Sequence, residues 1–383
     1  MRMKGDQSTT RLINRRLVLD CLRRQGQVTR MDLVAYTRLS PAAISGVVGE
    51  LMDEGFVIEG EAARSSGGRK PVLVSINYGF RVSIGIKLMH DRIDAMMTDL
   101  STKPIGFTSI KIQSTAIEEV SRATIAAVSE LMPDPIQRHE MLLGVGVAMP
   151  GFIDALRGIC LHSPRLGWDN VGVAQVLAGA VGKPVWVDND VNAYAIAQNL
   201  FGLSRLRRSS LVLILGTGVG AAVMIGGQVH RGGRFMAGEV GYTVDQPGRS
   251  WSDMFSEPAM EADWQTLCQK QARANNGLSA ASAEQDADAL AFLYERGVRV
   301  GQHLAGLINM LDPEVVIIGG EAMRFGPAFT DAIQSSLQEF TLGELPEIAI
   351  DWTNDIWSRA AAALAIQSFF DFESVSGMRG PST

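Results

Sequence analysis

The chain has 383 residues, 46% of them apolar and 20% charged, with 40 Gly and 14 Pro. That composition excludes a collagen-like, broadly disordered or disulfide-stapled miniprotein and leaves a globular chain long enough for two or three domains with sizeable cores. The net charge of −6 hides an asymmetry, because residues 1–80 hold twelve Lys/Arg against eight Asp/Glu while the rest of the 35 and 41 leaves 23 against 33. The N-terminal part alone suits an anionic partner.

The three cysteines, Cys21, Cys160 and Cys268, are far apart in sequence, so neither a disulfide framework nor a CxxC metal site is expected, and a reducing, cytoplasmic setting fits. The start, MRMKGDQSTTRL, lacks the apolar core of a signal peptide, and the long uncharged stretch 209–229 is interrupted by glycines. No membrane span is expected.

In chain order, Arg11 to Arg24 reads as a basic amphipathic helix with Ile13, Leu17 and Cys21 at helical spacing and Gly26 as its C-cap. Thr29 and Asp32 make a capping box for a second short helix, which stops around Leu39 and Ser40. Ser40 as N-cap and Pro41 in the first turn open a third helix, with Ile44, Val47, Val48 and Leu51 on one face and Gly55 at its end. Then FVIE and PVLVSI form strands flanking the loop GEAARSSGGRK at 60–70, a basic wing with Arg64, Arg69 and Lys70. Three short helices and a wing predict a winged helix-turn-helix over residues 1–80, mainly α, that binds double-stranded DNA; a small helical oligomerisation or peptide-binding module is the alternative. The candidate DNA contacts are Arg30, Ser40, Ala42, Ser45, Gly46, Arg64, Arg69 and Lys70. The third helix faces outward with Ala42, Ser45, Gly46 and Gly49, which lack the Arg, Asn or Gln forks that discriminate bases. Affinity is therefore expected to lean on phosphates and the wing and to fall steeply with salt.

From Val82 the chain alternates strands (82–88, 142–148, 184–188, 210–216, 220–225, 315–319, 347–351) with helices (116–132, 171–181, 191–201, 286–310, 357–370), an α/β pattern. The turn GTGVG joins two adjacent strands, and its Gly216, Gly218 and Gly220 permit positive φ and close backbone approach. A simple tight hairpin explains it equally well. Residues 271–286 read as a polar surface loop and 371–383 as a loose tail.

The segments NRRLVLDCLRRQG, SSGGRKPVLV, VDNDVNAYAIAQ, LGTGVGAAVMIGGQVHRGGRFMAGEVGY and LDPEVVIIGG, in this order, resemble the ROK family of repressors and sugar kinases. The resemblance implies a winged helix-turn-helix followed by an actin-like, ribonuclease H-like two-lobed α/β domain at 81–383. Lobe one would span about 81–188 plus the C-terminal helix, and lobe two about 189–355. It matches Asp190 to the kinases' catalytic base, Asn189 to a sugar contact, and Glu239 and Glu257 to sugar-binding glutamates.

Three departures from the family pattern matter. Where family kinases carry the DxGGT phosphate turn, this chain has Lys87, Leu88, Met89, His90 and Asp91, so phosphoryl transfer is not expected, no catalytic residue or cofactor is assigned, and the GTGVG turn and Gly319–Gly320 read as retained scaffold. Tyr242 replaces the family histidine and no cysteine cluster follows, so no metal is expected and Tyr242 becomes a candidate effector contact. Arg165 stands where relatives have Asn and could fork to an acidic effector. The expected function is a repressor of carbohydrate-metabolism genes, a homodimer or tetramer on a pseudo-palindromic operator, controlled by a sugar-type effector between the lobes. An ATP-dependent sugar kinase and a ligand-independent DNA-binding dimer are the alternatives.

Overall fold

The computed structural model describes residues 7–62, 72–272, 276–353 and 356–371. The chain divides into a first unit up to Arg205, rejoined from Trp357 onward, and a second unit, Leu206–Ile356. The family resemblance implies a lobe boundary near 188/189. The helix that begins at Asp190 instead groups with the first unit, because it continues from that unit's sheet and lies against it.

The first unit opens with α1 (Gln7–Gln25), closed by Gly26 in the left-handed region, whose N–H donates to Leu22 O at 2.8 Å. Its buried residues are Val18, Leu19, Cys21, Leu22 and Arg23, whereas Ile13 and Leu17 are exposed. The expected Ile13–Leu17–Cys21 face is thus only half right. Arg11 and Arg15, not the isoleucine, turn toward the third helix, where Arg15 forks onto Glu54 at 2.8 and 2.6 Å and Arg11 meets Glu50 at 2.9 Å.

After β1 (Val28–Thr29), the helix α2 (Arg30–Thr37) carries the expected capping box, with the Thr29 hydroxyl accepting from Asp32 N and the Asp32 carboxylate accepting from Thr29 N. These bonds from Thr29 hold the Asp32 carboxyl below its ordinary range. Arg38, at φ +60, ends the helix. Ser40 then caps α3 (Pro41–Asp53), accepting from Ala43 N at 3.2 Å, and Ile44, Val47, Val48 and Leu51 are buried as expected. Two longer strands, β2 (Val57–Ala62) and β3 (Val72–Ile76), complete an antiparallel sheet of order β1-β3-β2. Three helices and this sheet make a winged helix-turn-helix.

A five-stranded sheet follows. The meander β4 (Val82–Leu88), β5 (Arg92–Asp99) and β6 (Pro104–Lys111) is antiparallel; after α4 (Ile117–Leu131) and α5 (Pro135–Met141), β7 (Leu142–Met149) adds parallel to β4. Strands β8 (Phe152–Asp154), β9 (Ile159–Ser163) and β10 (Trp168–Val171) form a small sheet. The helix α6 (Val173–Val181) leads to β11 (Val185–Asn189), parallel to β7, and α7 (Asp190–Phe201) leaves its end.

The second unit repeats the plan. Its hairpin β12 (Ser209–Leu215) and β13 (Val219–Ile225), with β14 (Gln228–Val229), precedes β15 (Val244–Gln246), β16 (Arg249–Ser250), α8 (Trp251–Phe255), α9 (Glu257–Lys270), α10 (Leu278–Ala283) and α11 (Ala287–Leu311). Then β17 (Val315–Gly319), α12 (Pro327–Phe340) and β18 (Glu347–Ile350) extend the sheet in parallel to the order β14-β13-β12-β17-β18. The expected polar loop at 271–286 is corrected in part: α10 lies within it because Leu278 and Ala281 are buried. Residues 273–275 and the tail from 372 lie outside the described residues.

The last helix, α13 (Ile356–Asp371), returns to the first sheet. Gly85 on β4 and Gly146 on β7 are register partners, and a Cβ on either would collide with helix backbone, at Ser358 O and Ala362 N for Gly85 and at Ala361 O for Gly146. The facing run Ala360–Ala363 is 0–1% exposed. Small residues on both sides thus bring helix and sheet to backbone contact.

Two consequences are measurable. Gly146→Val should destabilise the chain by about 3 kcal/mol or more in urea titration, since backbone cannot yield to the new methyls. The Arg15 bonds hold Glu54's carboxyl below its usual range, so their stabilisation is present above the unfolded carboxyl's pKa and is lost as pH falls through the lowered folded value. Glu54→Gln should therefore lower stability at pH 7 by no more than about 1 kcal/mol, as partly exposed pairs do, with the gap closing below the carboxylate range.

Candidate functional site

The DNA-binding candidates separate on inspection. Ser40, Ala42, Ser45 and Gly46 lie together on the exposed side of α3. Arg30 instead reaches back to Glu59 on β2 at 3.0 Å and to the Met52 sulfur at 3.7 Å. Arg64, Arg69 and Lys70 lie outside the described residues. Tyr36 near the end of α2 and Arg38 at its C-cap are also exposed, just before α3.

In the first unit, Asn189 caps α7, its Oδ1 accepting from Val191 N at 2.9 Å and its Nδ2 donating to Gly151 O at 3.1 Å. Asp190 follows in the first turn, where a carboxylate complements the helix dipole. Its Oδ2 accepts from Lys87 Nζ, an ion pair with side chains 11% and 18% exposed, and that ammonium also stands 4.9 Å from the ring centre of Trp357. Lys87, expected from the sequence to stand in place of a phosphate turn, is thus held on the Asp190 carboxylate. Arg165 is exposed on the turn between β9 and β10.

In the second unit the glycine turn is gripped from two sides. Glu239 precedes a one-turn helix, Val240–Tyr242, and Gly241 sits so close to Val219 O and Ser252 Oγ that a Cβ would not fit. On the other side Glu257 N donates to Gly216 O at 2.8 Å, while its carboxylate is bonded by Arg324. Glu239 and Tyr242 share a turn, with Tyr242 two-thirds exposed. The expectation of positive φ in GTGVG is corrected: the left-handed glycines nearby are Gly226 and Gly227, not Gly216, Gly218 or Gly220. Gly216 instead lies close to Glu321, whose Oε2 a Cβ there would meet and displace. That oxygen is buried and has no hydrogen-bond partner. Glu321 also lines, with Met323, Arg324, Ile350 and Trp352, a hollow of about 380 Å³.

The segment after Tyr242 is tied by a carboxylate. Asp245, 1% exposed, accepts from Arg299 and is 2.5 Å from His303 Nε2, both on α11, and His303 stacks on Trp251 with ring centres 4.6 Å apart. Among the described residues no group of three or more His, Cys, Asp or Glu is placed to hold a metal. No helix among the described residues is long and apolar enough to cross a membrane.

A family model described as the ROK family matches residues 83–365. A xylose repressor of Caldicellulosiruptor bescii is 27% identical over 359 residues, covering 88% of this chain and 90% of that protein. A solved ROK family transcriptional regulator, described as a homolog of the E. coli MLC protein, superposes with a TM-score of 0.82 at 22% identity over 96% of this chain and 100% of its own. A ROK glucokinase from Streptomyces griseus, solved with glucose and AMPPNP, gives 0.63 at 23% identity over 75% and 99%. Both likenesses concern the fold; the second covers less of this chain.

Removing Lys87 would leave the Asp190 carboxylate uncompensated in a largely dry setting. Lys87→Met is expected to cost about 1–3 kcal/mol in denaturant titration, and the further change Asp190→Asn should recover most of it, the double-mutant cycle isolating the pair.

Proposed function

Because the chain belongs to the ROK family, we propose that it is a DNA-binding transcriptional regulator, a repressor of carbohydrate-metabolism genes that acts as a homodimer and answers to a sugar-type effector. One observation carries this reading. A capped winged helix-turn-helix is joined to a carbohydrate-type domain in which the candidate base, Asp190, is ion-paired to Lys87. A base must be free to accept the proton it abstracts, and an ammonium held on it opposes that role.

Other features agree. Leu88, Met89, His90 and Asp91 fill the position of a phosphate turn, and the Glu321 carboxylate crowds the glycine turn, so anionic phosphates meet bulk in the first unit and like charge in the second. The domain accordingly binds without phosphorylating. Asn189 and Asp190 are the proposed sugar-hydroxyl partners in the first unit, and Glu239, Tyr242 and Glu257 in the second. Arg165 is a proposed partner only for an acidic sugar. An effector acts by its differential affinity for two conformations. On DNA, the small-residue face of α3 admits close backbone approach, and a two-fold dimer would read half-sites about one helical turn or a multiple apart.

Genomic fragments selected on the purified chain at moderate salt, then retested with a pool of monosaccharides and sugar phosphates, decide between the readings. A palindromic site whose occupancy the pool changes by tenfold or more is the expected outcome, and Asp190→Asn should remove that response. Sugar-dependent ATP hydrolysis, lost in Asp190→Asn, would restore the kinase reading.

A further inference from the structure

Arg23 belongs to the DNA-binding module by sequence, yet only 4% of it is exposed. From α1 its Nη1 donates to Asn199 O at 3.0 Å and Leu200 O at 2.7 Å, carbonyls in the last turn of α7. Such carbonyls lack intrahelical partners, and a cation there also complements the negative end of the helix dipole. The other nitrogen, Nη2, donates to Asp20 at 2.6 Å, and the guanidinium carbon is 5.9 Å from the ring centre of Phe370. At the opposite end of the same helix stand Asn189 and Asp190, about 15 Å from those carbonyls at 1.5 Å per residue.

A second rod runs alongside. Trp357, at the start of α13, lies against Lys87 and has its ring centre 6.3 Å from Tyr194 of α7. At its far end Phe369 meets Phe56 of the winged module at 5.0 Å, and Phe370 meets Phe201 at 5.8 Å. Two helices thus have one end at the Asp190–Lys87 pair and the other at the DNA-binding module.

We infer that Arg23 is a positioning residue that transmits the state of the Asp190–Lys87–Trp357 group to the winged helix-turn-helix. The inference rests on Asp190 being an effector contact. A hydroxyl that bonds Asp190 competes with Lys87 for the carboxylate, and a helix of twelve residues moves as a body when its first turn is re-seated. A guanidinium that stays buried cannot part from the shifted carbonyls without leaving both unpaired in a dry setting, so α1 follows. Lysine cannot substitute, because one ammonium cannot bond two carbonyls and Asp20 with the fixed spread of a guanidinium.

The test is amide hydrogen exchange on the full chain, which needs neither operator nor effector. Lys87→Met should raise exchange in α7 and also in α1, by about threefold or more over residues 10–25. Trp357→Leu should repeat that pattern. In an Arg23→Lys background, α7 should respond to Lys87→Met as before while α1 no longer does. Should Arg23→Lys not fold, Asp20→Asn is the substitute, since it loosens the Nη2 side of Arg23 and should reduce the α1 response. An α1 that stays unchanged in Lys87→Met and Trp357→Leu, or responds equally with Arg23→Lys, overturns the inference. Thermal stabilisation by the monosaccharide pool, present in wild type and absent in Asp190→Asn, tests the effector reading separately, so either can fail while the other stands.

Discussion

The contact on which the first unit depends is the one without side chains. Gly85 and Gly146, paired across β4 and β7, admit the backbone of α13, and the alanine run at 360–363 lets it stay there. Dispersion summed over such close contact is large, though each atom pair contributes little. Its main effect is geometric. With the helix fixed on the sheet, Trp357 is delivered to Lys87 at one end and Phe369 and Phe370 to the winged module at the other. These contacts from α13 add to those of the segment following the wing, where Phe80 meets Phe56 at 5.1 Å and Asn77 N donates to Phe56 O at 2.8 Å.

The candidate site in the first unit is built on an ion pair at a helix start. The Asp190 carboxylate accepts from the Lys87 ammonium at the start of α7, where a carboxylate also complements the helix dipole. In the second unit a buried Asp245 bridging Arg299 and His303 ties the segment that leads away from Tyr242.

Local rules made much of the fold legible. Thr29–Asp32 and Ser40–Pro41 mark helix starts by chemistry confined to four residues, and apolar runs such as 82–88 and 315–319 announce buried strands. The strands β5 and β6 escaped because RIDAMMTD and PIGFTSIK mix polar and apolar residues toward a sheet edge, and α12 because its buried Phe329, Ile333 and Leu337 are diluted by polar neighbours. Helices α8 and α9 carried readable caps at Ser250–Asp253 and Ser256 that went unread. The site was legible only as candidates. Nothing near position 87 signals a partner at 190, and Arg23 reads in sequence as one more surface cation, since its burial is set by helices some 180 and 350 residues downstream.

Among the described residues of the winged module, several cations are already paired within the protein. Arg11 and Arg15 face Glu50 and Glu54, and Arg30 faces Glu59, so each already has a counter-ion that the protein itself supplies. Only a cation that exchanges solution ions for phosphate contributes to the ionic-strength dependence of DNA binding. The module should therefore behave as a weaker polyelectrolyte partner than its arginine content implies. Its dwell on random DNA would be shorter, and a larger share of its discrimination would come from how closely the nearly bare α3 surface follows the groove.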